Sequence, residues 1–324
     1  MASSLRYDPE YAAAIAASAG QKQPVFKDVL ELRDFTEKLL HRVFRLDPYP
    51  DNVQHTQHAY TSHDGASLAL HRFAPADLAD TTANAPTAAV LYVHGGGMVS
   101  CSVDIFAPAV ARQALAARLP FFAVDYRKAP EHPAPCGAED VFAALRHLSA
   151  HAADFNVDPA RIAVLGDSGG GGLAAACALL ARDRRLSPPL AKQVLVYPML
   201  DDRTAVPDDA PLRPFLTWQA TDNVLAWDAL LGADRAGRPE AEVPEYAVPA
   251  RAATLRGLPP TYIDVGGLDL FRDENVAYAA RLMREDVEVE LHVWPGVPHG
   301  FEGAPGATWT VRATASRIRA LQGF

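Results

Sequence analysis

The pentapeptide Gly166-Asp167-Ser168-Gly169-Gly170 follows the apolar stretch "RIAVL" and runs straight into "GGLAAACALLARD", a helical pattern. A serine on so tight a strand-to-helix turn is lifted clear of the sheet. Side chains two places either side of it would collide, so Gly166 and Gly170 stand there. The helix behind the turn aims free N–H groups and a partial positive charge at whatever reacts with the hydroxyl. A serine hydroxyl is a weak nucleophile near neutral pH, so it needs a base, and the base needs a partner that fixes its tautomer. The C-terminal third offers both. His299 sits in "PGVPHGF", a Pro/Gly-bounded loop after the apolar "VEVELHVW", and "GLDLFRDEN" after "PTYIDVG" carries Asp269 and Asp273. Asp269, in the loop itself, is favoured. Asp273 precedes "ENVAYAARLM", reads as a helix N-cap and stays in reserve, and Asp264, inside a strand, is the weaker candidate.

Nucleophilic attack on a carbonyl builds negative charge on its oxygen, and backbone N–H groups stabilise that charge best where no side chain keeps them away. The run "VLYVHGGGMVS" ends a strand in His94-Gly95-Gly96-Gly97 and supplies such a backbone, with the Gly169 N–H as a further donor. His94, at the strand end, is expected to brace this loop by hydrogen bonding. A phosphate-binding reading of the glycines lacks its own residues: there is no G-x-G-x-x-G, and no lysine follows as in a Walker loop.

These groups need a scaffold that brings strand ends together. Apolar β-rich runs alternate with helical patterns, the signature of βαβ units and a mostly parallel sheet. Eight strands are expected: "VQHTQHAYT" and "SLALHRF", joined by a turn at Asp64-Gly65 as an antiparallel edge, then "AAVLYVH", "FFAVDY", "RIAVLG", "KQVLVYP", "PTYIDVG" and "VEVELHVW". Helices are expected near 103–118, 137–151, 169–183, 273–285 and 309–321. Residues 203–247, rich in Pro, Asp and Arg but holding Phe215, Trp218 and Trp227, break the rhythm and read as an ordered insertion. The alanine-rich N-terminus is too short to span a bilayer and reads as a surface or cap helix.

The chain has 324 residues, 49% of them hydrophobic, enough for a substantial core. A formal net charge of -9 without a Lys/Arg block argues against nucleic-acid or anionic-membrane partners. Cys101, Cys136 and Cys177 form neither a disulfide framework nor a thiolate zinc site, which points to a reducing, cytoplasmic setting. His147 and His151 have helical metal-pair spacing but lack the Glu of H-E-x-x-H, so no metal is expected. His55 and His58 are expected on the surface of a strand, Cys177 in the core, and Arg127 paired with Glu131 in a Pro-stiffened loop, "YRKAPEHP".

Together "HGGG", "DYRKAPEHPAP", "GDSGGGG", "YPMLDDR", "DLFRDEN" and "HGF", in this order over nearly the whole chain, resemble the hormone-sensitive-lipase-like, or GDXG, family of esterases. The resemblance implies an α/β-hydrolase fold: a mostly parallel eight-stranded sheet flanked by helices, with a helical cap from residues 1–50 and 203–247 on a core of 51–202 and 248–324. It implies Ser168 as nucleophile, His299 and Asp269 as the rest of a triad, and Gly96, Gly97 and Gly169 as oxyanion donors. It further implies cofactor-free hydrolysis of short- to medium-chain acyl esters through an acyl-enzyme, a small-molecule ester as partner and, in many members, a homodimer. Met98, Phe215 and Trp218 are candidates for the substrate pocket; gluing the cap to the core is the plainer role for the aromatic residues. Three positions depart from the family pattern: Gly169 where Ala is usual, Leu270 where Pro is usual, and Met98 where an aromatic residue is frequent. A lactonase, a small-metabolite deacetylase or an amidase could use the same triad, and the same fold hosts non-catalytic ligand receptors that have lost the base.

Overall fold

Strands covered by helices on both sides have no face for water, so they read as continuous apolar runs. The computed structural model describes residues 3–18, 24–46, 48–78, 85–244 and 246–324. Six strands run parallel: β3 (Thr87–Val93), β4 (Phe121–Val124), β5 (Val157–Asp167), β6 (Lys192–Val196), β7 (Thr261–Gly266) and β8 (Val289–Trp294). At one edge β1 (Val53–Thr61) and β2 (Ser67–Pro75) make an antiparallel hairpin through Asp64-Gly65, and β2 pairs antiparallel with β4. The sheet order is β1-β2-β4-β3-β5-β6-β7-β8, which sets β5 near the middle.

Alternation along the strands sorts the core into two layers. From β3, Ala89, Leu91 and Val93 join one apolar cluster, while Val90 and Tyr92 join another on the opposite face. The first packs under α4 (Cys136–Ala150), α5 (Gly169–Asp183) and α7 (Arg272–Arg284), the second under α3 (Val103–Ala117) and α8 (Thr308–Gln322). Each fully buried leucine or valine contributes about 1.5–3 kcal/mol to this arrangement. These five helices fall where the apolar periodicity predicts them, within a residue or two at the ends.

The helix expected in the alanine-rich N-terminal stretch is present but short: among the described residues it is α1 (Pro9–Ala14), followed by a short 3-10 turn at Ala16–Ser18, and residues 19–23 lie outside the described chain. The long helix is α2 (Val29–Phe44). Asp28 caps it, accepting from the backbone N–H groups of Leu30 and Glu31 at 3.0 Å each. Alanine propensity alone does not hold a helix; α2 has an apolar stripe, with Leu32 buried and Leu40 and Phe44 against the second core layer, that gives it something to bury.

Between β6 and β7 the chain makes a long excursion containing α6 (Ala220–Leu231), whose Trp227 and Ala226 are buried in the first core layer. Its two stems are tied together. The fully buried carboxylate of Asp202 accepts from Arg251 Nε at 2.8 Å and Nη2 at 2.7 Å, and from Gly237 N at 2.9 Å. Arg251 also donates to the carbonyls of Arg238 and Ala241. Removing one partner strands the other charge away from water. Arg251→Met is therefore expected to destabilise the protein by about 3–5 kcal/mol. Urea unfolding measures it, and a change under about 1 kcal/mol would assign the pair the weight of an exposed ion pair.

Candidate active site

Loops at the C-terminal ends of β3, β5, β7 and β8 converge, and each brings one component. After β5 the chain reverses at Ser168 with φ 56° and ψ −120°, a conformation that stores about 1–3 kcal/mol in a residue with a side chain. The turn closes backbone to backbone: a methyl group on Gly170 would sit 2.2 Å from the Val93 carbonyl oxygen. The Ser168 N–H donates to Val196 O at 2.9 Å, and its carbonyl accepts from Gly172 N and Met199 N. Ser168 is thus locked with its hydroxyl directed at the β8 loop.

Ser168 Oγ lies 2.9 Å from His299 Nε2, and His299 Nδ1 lies 2.8 Å from Asp269 Oδ2. Asp269 is fully buried, and its other oxygen accepts from Phe271 N at 2.8 Å, so the carboxylate cannot swing away. The two loops bearing this pair are stitched together, Gly267 N donating to Trp294 O and Leu268 N to Val297 O. Aromatic rings hold the imidazole, with Tyr197 at 4.5 Å and Phe271 edge-on at 5.2 Å between ring centres. Thr217, from the excursion, donates its hydroxyl to His299 O at 2.6 Å.

The glycine loop completes the arrangement. Gly96, Gly97, Met98 and Cys101 all have positive φ, at 113°, 62°, 65° and 74°, so the loop coils tightly. Its carbonyls are engaged: Gly96 O accepts from Val99 N, Ser100 N and Ser100 Oγ, and Met98 O accepts from Ala129 N. The N–H groups of Gly96, Gly97 and Gly169 have no protein acceptor among the described residues. The loop and the start of α5 meet without side chains between them, since a methyl group on Gly169 would fall 2.6 Å from Met98 N and 2.9 Å from Gly97 Cα. A nucleophile beside three uncommitted donors can attack a carbonyl and stabilise the resulting oxyanion.

His94 is buried and stacks on Tyr126 at 4.4 Å, while its Nδ1 bonds to Gly95 O at 2.7 Å. Burial drives its pKa down to about 3, which keeps it neutral, a brace for the loop. Of the reserve carboxylates, Asp273 is not an N-cap: Phe271 holds that place, and Asp273 lies in the first turn of α7, exposed and paired with Arg272 at 2.7 Å. Asp264 is buried beneath the site on Arg317, with Tyr262 and Trp294 also donating to it. Met98 is itself 2% exposed, with its terminal methyl against Gly172, so it packs in the core. Trp218 reaches the site directly, its ring lying where a side chain on Gly97 would be, at 2.7 Å. Phe215 stacks edge-on against Tyr7 at 5.0 Å, binding the excursion to the N-terminal segment.

Other expectations sort likewise. Arg127 does not pair with Glu131; it binds Asp64 and buried Asp140, and Glu131 binds Arg33 of α2 instead. His147 and His151 lie side by side with their rings tilted by 34° at 4.5 Å, and among the described residues no group of three or more His, Cys, Asp or Glu is placed to hold a metal ion. Cys101 and Cys177 are buried and all three cysteines are free. No helix among the described residues is long and apolar enough to cross a membrane. Arg33, Glu37, Thr217 and Tyr197 had no local sequence signal, because each meets the site across a long stretch of chain.

A family profile described as alpha/beta hydrolase fold matches residues 90–303. The carboxylesterase NlhH of Mycobacterium tuberculosis is 39% identical over 217 residues, covering 65% of this chain and 66% of that protein. The match thus spans about two thirds of the mycobacterial relative's length. An ethyl acetate hydrolase of Pseudomonas putida is 33% identical over 246 residues, 74% of this chain and 73% of that one. Among solved structures, a bacterial heroin esterase superposes with a TM-score of 0.86 at 34% identity, covering 98% of this chain and 97% of that one.

Next to Ser168, Asp167 accepts from the Tyr92 hydroxyl, and burial raises its pKa from 3.8 to about 7. A carboxyl that holds its proton more tightly when folded stabilises the fold fully below its unfolded pKa and loses that effect as pH rises through about 7. Asp167→Asn should therefore flatten the fall in unfolding free energy between pH 5 and pH 8, followed by urea denaturation at each pH. Parallel pH curves for the two proteins would show that Asp167 titrates alike folded and unfolded.

Proposed function

The chain belongs to the alpha/beta hydrolase fold family, and from that premise we propose that it is a serine carboxylic ester hydrolase of the GDXG, hormone-sensitive-lipase-like kind, acting on short- to medium-chain acyl esters. The observation that carries this reading is the continuous hydrogen-bonded line Ser168–His299–Asp269 ending beside three unoccupied backbone donors. Ser168 attacks the ester carbonyl while His299 Nε2 takes its proton; Asp269 holds Nδ1–H and steadies the imidazolium. The oxyanion sits among the N–H groups of Gly96, Gly97 and Gly169. His299 returns its proton to the departing alcohol, leaving an acyl-serine, and water repeats the sequence to release the acid. Side chains, water and the ester supply every proton and electron pair in this cycle, so it calls for no cofactor.

Several features support the choice of substrate. The cap, assigned to residues 1–50 and 203–247, lowers Trp218 onto Gly97, which limits depth above the oxyanion loop and favours small acyl groups. Relatives named carboxylesterase and ethyl acetate hydrolase agree with a small ester. Free cysteines agree with a reducing, cytoplasmic setting.

With p-nitrophenyl acetate, butyrate and decanoate, wild-type protein is expected to hydrolyse the first two faster than the third, and Ser168→Ala should lose about 10⁴–10⁶-fold in kcat. Equal rates for the two proteins would end the assignment. A separate outcome concerns Gly169: with Met98 N only 2.6 Å from the added methyl, Gly169→Ala must displace the oxyanion loop. Alanine keeps the backbone N–H and is usual at this position in the family that the motifs resemble, so kcat should fall by less than the about 10²-fold that loss of one oxyanion donor costs, with a smaller effect on KM; a fall of about 10²-fold or more would mean that the loop cannot shift without losing a donor.

A further inference from the structure

The oxyanion loop crowds four positive-φ residues into positions 96–101, two of them, Met98 and Cys101, bearing side chains that disfavour that conformation. Such a loop keeps its shape only where its surroundings over-determine it. Some of the restraint is internal, through the carbonyl of Gly96. His94 and Trp218 brace it at Gly95 and Gly97, and further restraint comes from α2. Arg33 on α2 donates from Nε to Val99 O and from Nη2 to Ala129 O at 2.7 Å, and its fork grips Glu131 through Nη1 at 2.8 Å and Nη2 at 2.7 Å. One turn further on, Glu37 accepts from Cys101 N at 2.9 Å. Ala129 itself donates to Met98 O, so Arg33 holds the loop on both sides, directly at Val99 and through the "APEH" segment.

We infer that Arg33 and Glu37 are positioning residues for the oxyanion hole: docking of α2 fixes the Val99 carbonyl and the Cys101 amide, and this holds the N–H groups of Gly96 and Gly97 toward the Ser168 hydroxyl. A planar guanidinium satisfies two carbonyls and a carboxylate at once, which a lysine cannot do. Leu32 is the one fully buried residue of α2, so polar bonds are a large part of what seats this helix. Cap docking and donor geometry are therefore one equilibrium. The catalytic part of the inference rests on the esterase reading; the loop-ordering part does not.

The test uses full-length Arg33→Met, Arg33→Lys and Glu37→Gln. Amide hydrogen exchange at Val99 and Ser100, which bond to Gly96 O and not to α2, should accelerate at least about tenfold in Arg33→Met while α5 amides keep wild-type protection. Turnover is normalised to sites titrated with a phosphonate ester. The kcat per titrated site should fall about tenfold or more with KM within about twofold, and the Ki of a trifluoromethyl ketone should rise in parallel, because both depend on the oxyanion donors. Arg33→Lys should recover part of both effects, and Glu37→Gln should show smaller changes of the same kind. If Arg33→Met does not fold, the other two variants carry the comparison. A merely structural role would reduce the titratable fraction and leave kcat per site and the ketone Ki unchanged; that result, or unchanged exchange at Val99 and Ser100, overturns the inference. A wild-type protein that neither reacts with phosphonate nor cleaves any ester would remove the esterase reading instead, and exchange alone would then decide whether Arg33 orders the loop.

Discussion

Backbone amides from two stretches of chain can face one point only where the main chains come within contact distance, and beside Ser168 that contact leaves no room for a methyl group on Gly169 or Gly170. Gly170 lies against the end of β3 and Gly169 against the Gly97-Met98 peptide, each closer than a β-carbon allows. The left-handed turn at Ser168, the small residues filling the first half of α5 and the coiled loop after β3 are all consequences. Shifting any one of them by the width of a side chain would part the hydroxyl from the donors. The order of the sheet serves the same end, since β3 and β5 are neighbours and their C-terminal ends reach the same edge.

Much of this was legible in residue order because the relevant physics is short-ranged. The apolar runs of the strands, the helical patterns between them and the glycine spacing around Ser168 depend on neighbours a few positions apart. Asp269 could be preferred over Asp273 from its place in a loop, although the start of α7 is capped by Phe271 and not, as its chemistry suggests, by Asp273. What escaped is long-ranged. Arg127 and Glu131 are four positions apart and of opposite charge, yet the fold gives Arg127 to Asp64 and Asp140 and gives Glu131 to Arg33, 98 residues away. The N-terminus shows a second limit. Alanines favour helix locally but bury little, whereas the stripe of α2 has a surface to pack on.

The polar groups divide by depth. Beneath the site lie charges satisfied within the fold, such as Arg317, which bridges Asp264 and Glu302, and Glu302 in turn accepts from the Tyr197 hydroxyl beside His299. Glu274, whose pKa burial raises, accepts from the backbone of Leu200 and Asp201 and from the Thr204 hydroxyl, seating the start of the excursion on α7. Above the site, Thr217 and Trp218 reach down to the His299 carbonyl and Gly97. His299 and the glycine loop thus lie between buried charge on one side and side chains of a different segment on the other.

The knot at Asp202 and Arg251 has an evolutionary side. Because both stems of the excursion are pinned to each other and to β6 and β7, the residues between them form a nearly closed module whose ends stay put whatever its interior does. Lengthening such a loop raises its closure entropy only logarithmically, by about 0.6 kcal/mol per doubling. Insertions and substitutions between the stems can therefore accumulate with little displacement of Ser168, His299 and the glycine loop beneath.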